Sequence, residues 1–354
     1  MILVLNAGSS SIKVELFDAA LASVLTGSVT EIGGNGVAKV AGTRHPVEAP
    51  DHGSALALLL QGMEDAGHPL DTLTAAGHRI VHGGPDLTAP QRLTPQVIAQ
   101  IEACIPLAPL HNPHNLSGVA ALATLAPDLP QFGSFDTAFH ASNPEIAVTY
   151  AIPRAERAKG IRRYGFHGLS YAGMVAHFGD ALPSRLLALH LGNGASLCAI
   201  RDGRSVATSM GYSPLDGLVM GTRSGCIDGM AVLRMAEDHG IDAAGTFLNK
   251  ESGLKALAGT NDMATLLSRD DTEARFAVAH FCYWAARQAG SAIVAMGGVD
   301  AVAFTGGIGE NAAAVRDRIM DHLSWIGDLP VHVVPADEER QIARDVQSLM
   351  EKNA

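Results

Sequence analysis

Two stretches of this chain repeat one unusual plan: a short apolar run, a turn rich in Gly, and a second run that alternates apolar and polar residues. The first is Ile2–Leu5, the turn Asn6-Ala-Gly-Ser-Ser-Ser11, then Ile12–Phe17. The second is Arg185–Leu191, the turn Gly192-Asn193-Gly194, then Ser196–Ile200. A continuous apolar run reads as a strand buried on both faces, and a period of two reads as a strand half in contact with solvent. Each unit is therefore a strand hairpin, and the two lie nearly 190 residues apart. A chain of 354 residues has room for about two domains. The two hairpins form a weak internal repeat, and no low-complexity linker separates the halves, so the boundary is expected in an ordinary loop.

Outside the hairpins, alternation of strands and helices predicts an α/β fold. Strands are expected at Ala75–Val81, Gln131–Phe135 and Ala301–Phe304, and helices near Gly53–Gly67, Thr94–Cys104, Pro113–Leu125, Ser170–Phe178, Phe276–Met296 and Asn311–Ile326. Residues 18–77 carry the weakest signal. A last helix over Asp337–Lys352 is expected to return onto the first half.

Composition removes several function classes. Lys and Arg number 25 against 36 Asp and Glu, a net charge of −11, so a nucleic-acid backbone would be repelled. With 47% hydrophobic and 17% charged residues, the chain is not disordered. No apolar run reaches the roughly 18 residues that span a bilayer, so no membrane partner is expected. The N-terminus lacks the basic region of a secretory signal. The four cysteines are dispersed and form no CxxC pair, as expected of reduced thiols in a cytoplasmic protein.

The turns carry the first chemical signals. Ser9, Ser11 and Lys13 lie in or beside a Gly/Ser turn whose N–H and hydroxyl groups can cradle a phosphate. It is not a Walker A loop, because a strand follows where a P-loop needs a helix. The Asn-Gly of the second turn is also the commonest signal of an ordinary hairpin, so both readings fit it. A third stretch, Gly306-Gly-Ile-Gly-Glu-Asn311, is expected as a loop between strand and helix. Three such loops suggest a polyphosphate ligand held from several sides. Arg79 ends a strand, and Arg223 lies in the Gly-flanked turn Met220–Gly225. A guanidinium there can present its planar fork to a carboxylate or phosphoryl group, although a surface Arg is the ordinary alternative. Asp136 follows a strand, where α/β sheets place their chemistry. His111, His114, Asp136, His140 and His167 have no standard zinc-ligand spacing.

Taken in order, the segments NAGSSSIK, HRIVHGG, LAPLHNPHN, FDTAFH, RRYGFHGLS, LHLGNGAS, MGTRSG and FTGGIGEN resemble the motifs of acetate kinases, from Leu3 to about Arg344. The resemblance implies two duplicated ribonuclease H-like domains of the actin and hexokinase type with an active-site cleft between them. These would comprise residues 1–137 with 336–354, and residues 138–335. It implies ATP and ADP as nucleotides, Mg²⁺, a small carboxylate as acceptor, and a homodimer. By the same resemblance Asn6 and Glu338 are the metal-side residues, and Ser9, Ser11 and Lys13 form the phosphate hairpin. Arg79 holds the substrate carboxylate, and Val81, Leu110, Phe166 and Pro214 enclose its methyl group. Asp136, His167, Arg223 and His111 are implied at the transferring phosphoryl group. His190, Leu191, Gly192, Asn193, Gly194, Asp262, Gly307, Ile308, Gly309, Glu310 and Asn311 are implied at the nucleotide.

An acceptor carboxylate with a pKa of about 4 is already ionised at pH 7. A general base is therefore not required, and Asp136 is expected to orient Arg79 or the metal shell. Two departures stand out: the family's Asp-x-Arg reads Asp262-Met263-Ala264, and its acid after MGTRSG is Cys226. Propionate and butyrate kinases share these motifs, and one methylene in an apolar pocket is worth only about 1–3 kcal/mol. A non-catalytic nucleotide-binding relative is the reading from another class. It is expected to have lost Arg79, Asp136 or Arg223, and all three are present.

Overall fold

The apolar run at the N-terminus becomes β1 (Ile2–Ala7), with Leu3, Val4 and Leu5 almost wholly buried, and β2 (Ser11–Phe17) folds back on it antiparallel. The structure is a computed structural model that describes residues 1–352. The sheet extends through β3 (Ser23–Thr30), β4 (Val37–Val40) and β5 (Thr43–Pro46). On the other side of β1 lie β6 (Ala75–Ile80), then β8 (Gln131–Phe135) beyond it, with the short β7 (Gln91–Arg92) at the edge. The order is β5-β4-β3-β2-β1-β6-β8-β7, with β1, β6 and β8 parallel.

The second sheet holds β9 (Arg185–Leu191), β10 (Ala195–Arg201), β11 (Arg204–Thr208), β12 (Ala301–Thr305) and β13 (Val331–Val333) in the order β11-β10-β9-β12-β13. β9 is antiparallel to β10 and parallel to β12. The sequence β3-β2-β1-β6-β8 in the first sheet thus recurs as β11-β10-β9-β12-β13 in the second. The repeat seen in the two hairpins continues through both sheets, each a mixed α/β layer.

The chain divides into two compact units, one of Met1–Phe139 with the segment from Asp337 onward, the other His140–Ala336. In the first, Leu3, Leu5, Ile12, Val14 and Leu16 form one core with Leu56, Leu59 and Met63 of the helix His52–Asp65. In the second, Ala301 to Phe304 are at most 1% exposed, and the helix Thr272–Met296 runs 25 residues across the sheet. Asp271 caps that helix by accepting from Ala274 N at 2.9 Å, so it begins four residues before Phe276.

The structure corrects the Gly-rich stretch after β12. It is not a loop: Gly306–Asn311 is a short helix, and a separate helix runs from Ala313 to Leu323. The strands β3, β4 and β5 fill the region with the weakest sequence signal. No described helix is long and apolar enough to cross a membrane.

The helix Glu338–Lys352 lies on β1, β6 and β8. Its approach to β6 is close enough to require Gly77, where a Cβ would fall 2.6 Å from Ile342 Cγ2. Asp345 on this helix accepts from Ser134 Oγ and from Gln341 Nε2, both at 2.8 Å. Burial lifts its carboxyl to about 6. The folded chain therefore keeps a proton that the unfolded chain releases above about pH 4. The stability this gives is lost as pH rises from about 4 to 6. Asp345→Asn is expected to stabilise the fold at pH 7.5 by no more than about 3 kcal/mol, at 1.36 kcal/mol per pH unit, and so to raise the melting temperature. The gain should vanish at pH 4. Thermal unfolding at the two pH values checks this, and equal destabilisation at both would refute it.

Candidate active site

Parallel strands β1, β6 and β8 end at the same edge of the first sheet. Chain geometry alone therefore brings Asn6, Arg79 and Asp136 to that edge. Asn6 stands opposite Lys13 in the β1–β2 register. Arg79 donates from Nη2 to Asp136 Oδ2 at 2.6 Å and from Nε at 3.1 Å. Glu338 Oε2, in the first turn of the last helix, is 3.9 Å from the same Nε. The Asp136 side chain is 2% exposed and that of Arg79 23%. Burial works against the guanidinium's charge, but Asp136 and Glu338 more than offset it and hold Arg79 protonated. Burial in turn raises the carboxyl of Glu338, against the opposing pull of Arg79 and Lys13.

Two buried asparagines fasten this edge. Asn115 Oδ1 accepts from Val81 N at 3.0 Å, while its Nδ2 donates to Ala7 O at 2.8 Å, tying the ends of β1 and β6 together. Asn112 exchanges hydrogen bonds with the backbone of His82, at 3.1 and 3.0 Å. Sequence reading missed both, although their i, i+3 spacing on a helix was a usable signal, since it puts two amides on one face. The helix they share is entered at His111, its N-cap. Val81 is buried, whereas Leu110 is 55% exposed. In the Asn6–Ser11 turn, Gly8 N donates to Ser11 O at 2.8 Å and His52 Nε2 lies 2.7 Å from Gly8 O. Ser9 is exposed at the tip.

The second unit gathers a separate set. His167 adopts the left-handed conformation (φ 58°) at the start of the helix Gly168–Phe178. Its Nδ1 is 2.9 Å from Ser196 Oγ, which Tyr171 Oη also meets at 2.5 Å. Its ring lies against that of His190, centroids 4.3 Å apart, and His190 Nδ1 is 2.8 Å from Ser170 Oγ. A Cβ on Gly194 would sit 3.3 Å from His167 Nε2 and 3.9 Å from Arg223 Nη1, so His167 and Arg223 converge over that glycine. Arg223 Nη1 reaches Pro214 O at 3.4 Å. Phe166, beside His167, is buried.

Asn193 accepts from Gly221 N at 3.0 Å through its carbonyl and from Asn261 Nδ2 at 2.9 Å through its side chain. At Gly221 a Cβ would overlap the Asn193 side chain. Leu191 backbone packs on Gly306, which has φ 79°. Glu310 Oε1 accepts from Gly306 N and Ala336 N, at 3.1 and 3.0 Å, and Asn311 Nδ2 donates to Gly307 O at 2.9 Å. These two side chains therefore brace their own turn. Asp262 likewise caps a helix, accepting from Thr265 N at 3.0 Å, and its neighbour Asn261 donates to Asn193. Cys226 donates to Asp216 Oδ1 at 3.0 Å, and Asp216 pairs with Arg163 at 2.9 Å.

Among the described residues no group of three or more His, Cys, Asp or Glu could cage a metal. Mg²⁺ commonly takes only one or two protein ligands and completes its shell with water and substrate phosphates. The hard oxygens of Asn6 and Glu338 fit that kind of site.

A family model described as the Acetokinase family matches residues 1–348. The acetate kinase of Rhodopseudomonas palustris is 41% identical over 391 aligned positions, covering 99% of this chain and 98% of that protein. That of Stutzerimonas stutzeri is 42% identical over 393 positions, covering 99% and 98%. Both alignments are longer than the chain, so the relatives carry segments that it lacks. Among solved structures, Porphyromonas gingivalis acetate kinase superposes with a TM-score of 0.92 at 34% identity, covering 99% of each chain. A propionate kinase from Francisella tularensis gives 0.90 at 35% identity, covering 97% of this chain and 98% of that one.

Proposed function

The chain belongs to the acetokinase family, and from that premise we propose that it catalyses reversible, Mg²⁺-dependent phosphoryl transfer from ATP to acetate, giving ADP and acetyl phosphate. The observation that carries the acceptor class is the bonding of Arg79. A guanidinium has five N–H donors. Asp136 takes one from Nε and one from Nη2. The remaining three include the end-on pair of Nη1 and Nη2, which matches a carboxylate oxygen for oxygen. Arg79 is thus aimed, charged and still able to donate.

The chemistry follows from charge. The acceptor carboxylate attacks as it stands, so no side chain has to remove a proton. Bound Mg²⁺ would neutralise charge on the nucleotide phosphates, next to Asn6 and Glu338. Arg223 and His167 would donate to the equatorial oxygens of the transferring group, and His111 would assist. Positioning of this kind is the main source of rate in phosphoryl transfer. The turn of Ser9, Ser11 and Lys13 would hold phosphate oxygens. The His190–Gly194 hairpin and the Gly307–Gly309 backbone would hold the nucleotide. Val81, Leu110, Phe166 and Pro214 would meet the methyl group. Exposed Phe276, Tyr283 and Val294 on one long helix, with Met230 and Leu233 on another, support a homodimer that covers them.

The propionate kinase among the structural relatives favours a second reading, a longer acid in the same site. Acyl phosphate formed from ATP and Mg²⁺, trapped with hydroxylamine, separates the two across formate, acetate, propionate and butyrate. Turnover is expected to be highest on acetate. Preference for propionate or butyrate would keep the mechanism and change the substrate. No product from any acid would overturn the proposal.

A further inference from the structure

In an ordinary two-residue hairpin the residues that flank the turn exchange two hydrogen bonds, one in each direction. Gly8 and Ser11 flank the turn of the first hairpin, and they exchange only one. Gly8 N donates to Ser11 O at 2.8 Å, and the return bond from Ser11 N to Gly8 O is not made. Gly8 O is instead 2.7 Å from His52 Nε2, 44 residues away in sequence. A carbonyl only accepts, so this ring nitrogen carries a hydrogen and His52 is the donor, whether the imidazole is neutral or charged.

The rest of the fold sets His52 in place. It opens the helix His52–Asp65, whose Leu56, Leu59 and Met63 share one core with β1 and β2. Asp51 caps that helix by accepting from Ser54 N at 2.8 Å. The ring of His52 stacks on that of His114, with centroids 5.7 Å apart and planes 23° apart. Helix, cap and stack together bring one N–H to one carbonyl of the turn.

Neighbouring carbonyls are also taken up. Ala7 O accepts from Asn115 Nδ2 at 2.8 Å, and Ser10 O accepts from Ile32 N at 3.0 Å. The donors of the turn are left open. Ser9 N and Ser10 N reach no acceptor among the described residues. In a strand the N–H and C=O of one residue point to the same side. Ser11 N therefore faces Gly8, as Ser11 O does, and finds its carbonyl turned to His52. Three successive N–H groups in a turn make a nest for an anion. A turn closed by the bond from Ser11 N to Gly8 O would lose the third of them.

We propose that His52 is a positioning residue for phosphate. By holding Gly8 O it keeps the turn open, so that Ser9, Ser10 and Ser11 all offer their N–H groups to a phosphate of the bound nucleotide. The inference rests on the reading of this turn as a phosphate holder.

His52→Phe keeps a ring for the stack and removes the donor. His52→Gln returns an N–H at about the reach of Nε2. Exchange of the Ser11 amide with solvent, followed by NMR in the full chain without ligands, reads the turn without reference to activity. It is expected to slow at least tenfold in His52→Phe, where Ser11 N closes onto Gly8 O, and to return to the parent rate in His52→Gln. A mere loss of stability would speed it instead. Affinity for ATP with Mg²⁺, titrated calorimetrically without acetate, should fall about tenfold in His52→Phe, the low end for one hydrogen bond to a charged group. It should recover in His52→Gln. The KM for ATP should rise by the same factor, while kcat and the KM for acetate stay near those of the parent. Melting temperatures check folding, and His52→Leu removes the donor again should the phenylalanine disturb the helix. Ser11 exchange that is unchanged or faster in a folded variant without the donor would overturn the open turn. Nucleotide bound as tightly by that variant as by the parent, or no recovery in His52→Gln, would overturn the role in binding. If the parent forms no acyl phosphate while exchange and affinity behave as stated, the proposed reaction falls and the role of His52 stands.

Discussion

Arg223→Ala is expected to lower kcat about a thousandfold, the low end of what an arginine on a transferring phosphoryl group contributes, while the KM for acetate changes little. The reasoning starts from geometry. Arg223 lies in a turn walled by glycines and meets His167 over Gly194, where a Cβ would already be 3.3 Å from His167 Nε2 and 3.9 Å from Arg223 Nη1. Its Nη1 also reaches the Pro214 carbonyl at 3.4 Å, which orients the fork. Charge on the equatorial oxygens grows only in the transition state, so losing a donor there reduces kcat and leaves ground-state binding alone. Arg223→Lys should recover part of the rate at most, since a point charge cannot reproduce a planar fork. Steady-state kinetics in the acetyl phosphate-forming direction measure both variants. A loss below tenfold in the alanine variant, or a loss confined to KM, would remove Arg223 from the reaction.

Much of this set was legible because strands and turns write themselves plainly. Ile2–Leu5 and Leu186–Leu189 are unbroken apolar runs, and each proves to be a central strand buried on both faces. Arg79 and Asp136 could be placed because they terminate such strands, and parallel neighbours end together. What stayed hidden has physical reasons. The strand Ser23–Thr30 is built from Ser, Thr and Gly between its apolar residues, and Thr43–Pro46 is exposed throughout, so neither shows a hydrophobic period. Gly306–Asn311 reads as a loop because glycine is a poor helix former. In the helix Glu310 accepts from the amide of Gly306, a contact four residues apart that composition does not reveal. Asp262 matches a nucleotide-binding segment by position, yet its side chain serves as a helix cap.

Asp136→Asn separates two roles that the same aspartate could play. As a general base it would be inactive when protonated, and its loss would matter according to pH. As the residue that aims Arg79, it would matter at every pH. The structure supports aiming: both Nε and Nη2 of Arg79 converge on Asp136 Oδ2, at 3.1 and 2.6 Å, behind a side chain only 2% exposed. The acceptor carboxylate has no proton to lose between pH 6 and 9, since such acids ionise at about pH 4. Asparagine keeps the shape and one acceptor but not the charge. Glu338, 3.9 Å from Arg79 Nε, would then be the nearer anion and would draw the guanidinium toward itself. A misplaced carboxylate clamp costs on the order of a hundredfold. We therefore expect kcat/KM for acetate to fall about a hundredfold across pH 6 to 9 with an unchanged profile, and part of the loss to appear in KM. A melting curve at pH 7 guards against a trivial cause, because removing one member of a buried pair can cost about 3–5 kcal/mol. Recovery of activity as pH rises would contradict aiming and return the proton-transfer role to Asp136. A flat loss in a folded protein would leave Arg79, held by its carboxylate partner, as the group that presents the acceptor.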